Sequence, residues 1–179
     1  ATNIRVARAP YELRGADKII LPGVGAFGAG MERLRAQDLV QAIRDAVIAG
    51  TPYLGICLGM QFLFERSDEM GVHEGIGLLP GEVTRLNAAP GLKVPHMGWN
   101  RLQARRESAL LNGVSSAGYA YFVHSYHCVP ARDDDILATV DYDGPVVAAV
   151  QRDHIYGVQF HPEKSQRLGL QILSNFLEL

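Results

Sequence analysis

Cysteine is scarce in this 179-residue chain, which has two, Cys57 and Cys128, against 19 glycines. Two cysteines make neither a disulfide framework nor a cysteine-based zinc site. They suit a reducing compartment in which one free thiol is kept for chemistry. Long apolar runs are missing too: nothing reaches the ~18 residues of a membrane-spanning helix, and no secretory leader pattern is visible. No membrane partner is therefore expected, and the expected location is the cytoplasm. Basic runs are absent and the net charge is −2, which leaves no electrostatic footprint for nucleic acid. Repeats, low-complexity tracts and linkers are lacking as well, so residues 1–179 read as one domain large enough for a substantial core. Tryptophan occurs once, at Trp99.

What is present alternates between apolar runs and helical periodicity. Residues 4–7 read as a short strand and 11–15 as a helical turn. Residues 18–21 (Lys-Ile-Ile-Leu) form a continuous apolar run of the kind buried on both faces of a parallel sheet. A glycine-rich loop at 22–28 leads to helices at 29–35 and 39–49, the second closed by Gly50. A strand at 53–56 and a helix at 58–65 follow. Strands are expected at 83–86, 99–102, 119–123, 136–142, 146–151 and 155–160, separated by Gly, Pro, Asp or Asn. Asp141-Tyr142-Asp143-Gly144 signals a hairpin. Helical spacing returns at 165–177, with Ser165 as candidate N-cap. The expected fold is α/β: an open, mostly parallel twisted sheet flanked by helices, with added antiparallel strands in the second half.

Gly55-Ile56-Cys57-Leu58-Gly59-Met60-Gln61 places a cysteine between two glycines just after an apolar strand. That is the pattern of a nucleophile elbow, where a strand turns sharply into a helix. Far downstream, His161-Pro162-Glu163 offers an imidazole and a carboxylate two residues apart. A strand would point both to one side, and a turn could also bring them together. Cys57 as nucleophile, His161 as general base and Glu163 as its orienter follow the logic of acyl transfer. A helix N-terminus and a neighbouring imidazole would both lower the Cys57 pKa. The rival readings are a packed structural cysteine and a His-x-Glu used as metal ligands. Cys128 has no elbow around it and reads as core. Of the remaining histidines, His73 and His154 read as solvated loop residues, His127 carries no motif, and His96 and His124 are expected in structural or interface roles.

A thioester route passes through an oxyanion that needs two N–H donors. One is expected from Leu58, the residue after the nucleophile. The other is expected from the loop at 22–25, with Val24 and Gly25 turning their amides toward the site. A phosphate cradle is the alternative for that loop, but it has neither the Gly-Lys-Ser/Thr ending nor the G-x-G-x-x-G spacing.

Residues 55–61 together with Gln159-Phe160-His161-Pro162-Glu163 resemble the class I, triad-type glutamine amidotransferases, whose motifs read G-[IV]-C-x-G-x-Q and Q-F-H-P-E. The resemblance implies glutaminase activity on L-glutamine with no cofactor and no metal. It implies Gln61 hydrogen-bonding the substrate, Glu69 binding its α-ammonium, and backbone at Ser125 and Tyr126 contributing. Val94-Pro95-His96-Met97-Gly98-Trp99-Asn100, Tyr121-Phe122-Val123-His124-Ser125-Tyr126 and His161-Pro162-Glu163-Lys164-Ser165 are most similar to the glutaminase subunits of imidazole glycerol phosphate synthases. This implies a heterodimer with a (β/α)8-barrel cyclase subunit, passage of ammonia between the two in histidine biosynthesis, and an interface at Trp99, Asn100, Tyr121 and Lys164. Members of that family open with a strand and a glycine-containing turn like I-D-Y-G-x-G-N-L, then a helix. None of it occurs here, so the chain reads as N-terminally truncated. Two other functions stay open: a stand-alone cysteine hydrolase of γ-glutamyl compounds, and a non-catalytic binding domain of the same ancestry.

Overall fold

The computed structural model describes residues 3–87, 91–115 and 118–179. Its frame is a six-stranded sheet in the order β1-β2-β12-β11-β10-β7. β2 (Tyr53–Cys57) is central and buried at all five residues, as its unbroken apolar sequence requires. It pairs in parallel with β1 (Ile19–Gly23) on one side and with β12 (Ile155–Val158) on the other. Within this sheet parallel pairing is confined to these three strands. β11 (Pro145–Arg152), β10 (Ile136–Asp141) and β7 (Gln103–Ala104) continue the sheet antiparallel. The β10–β11 turn has the expected form, with Asp143 and Gly144 at positive φ and Gly144 N–H donating to the Asp141 carboxylate.

Side chains alternate between two cores. Tyr53 packs with Phe27, Met31 and Leu34 of α1 (Phe27–Ala36) and with Leu39, Ile43 and Val47 of α2 (Leu39–Ile48). Leu54 and Ile56 pack with Ile172 and Phe176 of α4 (Gln166–Glu178). Helices thus cover both faces of the sheet, which the strand-helix alternation anticipates. A second sheet runs β4 (His73–Glu74), β3 (Arg66–Ser67), β5 (Gly81–Arg85), β9 (Tyr126–Pro130). A two-stranded ribbon joins β6 (His96–Arg101) to β8 (Tyr119–His124), with Trp99 opposite Tyr121.

Several expectations need correction. Residues 4–7 are not a strand: Ile4 and Val6 are 81% and 76% exposed and pair with nothing, and an unpaired strand has no ladder to hold it. The helix after the elbow, α3, spans only Leu58–Gln61 and not 58–65. The carbonyls of Phe62, Leu63 and Phe64 are taken by N–H groups of residues 76–79, so a tertiary loop replaces the next helical turn. His73 and His154 are not free in solvent. The His73 ring lies against Gly28 of α1, and the His154 imidazole bonds the Val47 carbonyl at 2.7 Å. Ser165 stands at the N-cap position of α4 but makes no capping bond. Its hydroxyl donates to the His161 carbonyl at 2.7 Å and accepts from Tyr121 N–H at 2.9 Å.

Candidate active site

The register of the three parallel strands assembles the site. Gly23 lies opposite Cys57, so the loop after β1 emerges beside the elbow. Val158 lies opposite Ile56, so residues 159–163 leave β12 on the other flank. All three connections meet at the carboxyl ends of their strands, where open α/β sheets place their sites. Cys57 holds φ 54 and ψ −109, a conformation a side chain adopts only under constraint. The constraint is packing: a Cβ at Gly59 would stand 1.7 Å from the Leu21 carbonyl oxygen, so only glycine lets α3 lie that close to β1.

A cleft of about 370 Å³ opens there, lined by Val24, Gly25, Cys57, Leu58, Gln61, Glu69, Ser125, Tyr126, His161 and Lys164. Every one of these was a sequence candidate. Pro95, Val123 and His124 complete the lining and were not assigned to it. His161 is buried, and its Nδ1 bonds the Glu163 carboxylate at 2.8 Å, which leaves Nε2 as its free nitrogen. The pair is made by a 3-10 turn, Pro162–Lys164, and not by strand alternation. Glu163 is half exposed. The Cys57 sulfur accepts a hydrogen bond from Gln159 Nε2 at 3.6 Å and one from Leu58 N–H, rather than from His161.

Burial pushes the Cys57 thiol up to about 11, and the Glu163 charge adds to the rise; Leu58 N–H, Gln159 and Lys164 pull the other way. The sequence reading expected a lowered value. α3 is a single turn with little macrodipole, so desolvation wins. At neutral pH Cys57 is a thiol, and its proton must leave as attack occurs. Cys128 is fully buried in the core, as expected.

Gln61 is buried rather than solvated. Its Nε2 donates to the Tyr126 carbonyl and to Gln159 Oε1, both at 3.1 Å. The Ser125 carbonyl accepts from Leu86 N–H at 2.9 Å, so the carbonyls at 125 and 126 are both committed to the fold. Glu69 accepts from Phe27 N–H at 2.7 Å, which ties it to the start of α1 and to the loop bearing Val24 and Gly25. That loop is exposed: Val24 is 81% exposed, and Gly25 has φ +99 with open space beside it.

Trp99 and Tyr121 face each other across the β6–β8 ribbon, with Lys164 of the Pro162–Lys164 turn beside them, while Asn100 turns to the other face of the ribbon, toward His96 and the Asp141 carbonyl. Trp99 and Tyr121 meet edge to face at 5.7 Å, and Lys164 Nζ lies 5.6 Å from the Tyr121 ring centre. Trp99 is 48% exposed, and Met97 and Tyr119, which sequence reasoning left out, extend the apolar surface. Beneath it His96 Nδ1 and His124 Nε2 are 3.1 Å apart, and burial lowers the two to about 4 and about 3. The unfolded chain, with ordinary histidines near 6.5, then binds more protons than the fold below that pH, so this contribution is complete above pH 6.5 and is lost as pH falls. Between pH 7.5 and 5 the stability from urea unfolding is expected to drop by about 2 kcal/mol per histidine. A His96→Gln/His124→Gln variant should show a correspondingly flatter pH dependence.

Among the described residues, no His, Cys, Asp and Glu group is arranged to hold a metal ion, and no helix is long and apolar enough to cross a membrane. A thiol at a strained elbow and an imidazole bonded to a carboxylate share one cleft, the groups that cysteine acyl transfer requires. The chain belongs to the glutamine amidotransferase class-I family, whose model matches residues 3–179. Its fold is that of a crystal structure of a glutamine amidotransferase (TM-score 0.73, 21% identity, 96% of this chain and 83% of that one) and of PurLQS from Thermotoga maritima (0.71, 20%, 93% and 81%).

Within the family it is similar to the imidazole glycerol phosphate synthase subunit HisH of Wolinella succinogenes, with 46% identity over 178 residues, 98% of this chain and 87% of that protein. The same subunit of Zymomonas mobilis is 49% identical over 98% of this chain and 83% of its own length. That of Geobacillus thermodenitrificans is 51% identical over 93% and 79%.

Proposed function

We propose that the chain is the glutaminase subunit of an imidazole glycerol phosphate synthase. It hydrolyses L-glutamine to glutamate and ammonia through a Cys57 thioester and passes the ammonia to a cyclase subunit. The observation that carries this reading is the single cleft holding Cys57 at a strained elbow together with the His161–Glu163 pair. In this reading His161 Nε2 takes the thiol proton as sulfur attacks the γ-carboxamide carbon, and returns it to the departing ammonia. Leu58 N–H and an amide of Val24 or Gly25 hold the oxyanion. Water then cleaves the thioester. Glu69 receives the α-ammonium, and the Gln61 carbonyl oxygen meets the head of the substrate.

The partner is a (β/α)8-barrel cyclase that docks over Trp99, Asn100, Tyr121 and Lys164, so that ammonia crosses without meeting water. The heterodimer works in the cytoplasm, where reducing conditions keep Cys57 a thiol. The whole chain acts as one amidotransferase domain. Hydrolysis without an acceptor wastes glutamine, so in this reading the exposed Val24–Gly25 segment turns to complete the oxyanion hole only when the partner holds its nucleotide. The test is glutamate release with and without a cyclase subunit carrying its phosphoribulosyl-formimino ligand. A rise of at least ~100-fold is expected, the worth of one oxyanion donor. Full activity of the chain alone, indifferent to any partner, would favour the stand-alone hydrolase.

A further inference from the structure

A line of mostly buried polar side chains runs from the β6–β8 ribbon to the nucleophile. Asn100 Nδ2 donates to the Asp141 carbonyl at 2.9 Å and lies 3.3 Å from His96 Nε2. His96 Nδ1 lies 3.1 Å from His124 Nε2, and His124 Nδ1 lies 2.9 Å from the Tyr126 carbonyl. A carbonyl only accepts, so His124 carries its proton on Nδ1 and accepts at Nε2. His96 must then donate from Nδ1 and accept from Asn100 at Nε2. Each tautomer is fixed by the next partner, and both rings are neutral. The Tyr126 carbonyl also accepts from Gln61 Nε2, the same amide reaches Gln159 Oε1, and Gln159 Nε2 reaches Cys57 Sγ. Gln61, His96, His124 and Gln159 are all buried, so water cannot replace a lost partner cheaply.

We propose that Gln159 is a positioning residue for the nucleophile, the last member of a hydrogen-bond chain that starts at half-buried Asn100, the residue after Trp99 on β6, and carries the state of the ribbon's docking face through buried His96, His124 and Gln61 to the Cys57 sulfur. The coupling to a partner rests on the reading of that face as the docking surface; the role of Gln159 at the sulfur does not. Gln159 also stands in the Q-F-H-P-E segment, where the function absorbed only His161 and Glu163. Its amide N–H stabilises the thiolate, as do Leu58 N–H and the Lys164 charge, against burial and the Glu163 charge. His161, Glu69 and His124 face the same cleft, and Cys128 lies close enough for Cys57 to raise its pKa further.

The experiment is the pH profile of Cys57 alkylation by iodoacetamide in the full chain, on a Cys128→Ala background. It needs neither glutamine nor a partner, so it fails independently of the proposed function. Gln159→Leu should lower the alkylation rate at pH 8 about tenfold, displacing the profile upward by about one pH unit. Gln159→Glu keeps the volume and the acceptor for Gln61 but turns a carboxylate toward the sulfur, and should displace the profile further. Asn100→Leu, which does not touch Cys57, should displace it in the same direction by a smaller step. With glutamine, Gln159→Leu should lower kcat about tenfold with KM changed less than twofold. Wild-type profiles in Gln159→Leu and Gln159→Glu would overturn the positioning role. A wild-type profile in Asn100→Leu would cut the chain off from the Trp99 face.

Discussion

Cys57→Ala is expected to abolish glutamine hydrolysis, a loss of about 10⁴-fold or more, while Cys128→Ala stays within a few-fold of the parent. The contrast comes from position. Cys57 is the only cysteine at an elbow, with Leu58 N–H and Gln159 aimed at its sulfur and a cleft in front of it. Cys128 lies in β9 with no exposure at all, and burial pushes its thiol up strongly. Glutamate release by the two purified variants checks this. Activity that survives in Cys57→Ala and disappears in Cys128→Ala would reverse the assignment.

The second large effect concerns the base. His161→Gln is expected to lower kcat by about 10³-fold, within the range of a lost general base. Glu163→Gln should cost far less, about tenfold. A buried orienter is irreplaceable because an amide in its place imposes the wrong tautomer. Glu163 is half exposed, so a glutamine there can turn its carbonyl oxygen to His161 Nδ1, and water can assist. The two variants should also differ in pH profile, since only His161→Gln removes the group that takes the thiol proton. Equal losses in both would mean that the orienter is as essential as the base and that its exposure carries no weight.

Legibility in the sequence followed the range of the forces involved. β2 and β12 were readable as apolar runs because both are buried on both faces of the sheet; β1 carries the same kind of run, but it is the edge strand and Ile20 is 41% exposed, so the expected burial on both faces holds only for its neighbours. The elbow and the His161–Glu163 pair were readable because each depends on residue types at local spacing: glycines around Cys57, a carboxylate two residues from His161. The end of α3 at Gln61 was not readable. The carbonyls of residues 62–64 turn to N–H groups of residues 76–79, and no local signal announces that choice. The raised thiol pKa is not legible in the sequence for a related reason. The elbow is visible in sequence, but the depth of its burial depends on cores that assemble from both halves of the chain. Gln159 and the His96–His124 pair were invisible as a unit because β6, β8, β9 and the β12 exit are brought together only by the fold. Ser165 carried a true signal with a different use: its hydroxyl fixes the turn that holds His161 instead of capping α4.

The central claim is that glutamine is cleaved through a covalent bond to one sulfur. The most direct measurement is acid quench of the chain during turnover of L-glutamine, followed by mass mapping of the peptide that carries the acyl group. A γ-glutamyl thioester on Cys57, present in the parent chain and absent from Cys57→Ser, is the expected result. Glutamate release with no acyl group on Cys57, or an acyl group on Cys128, would contradict it.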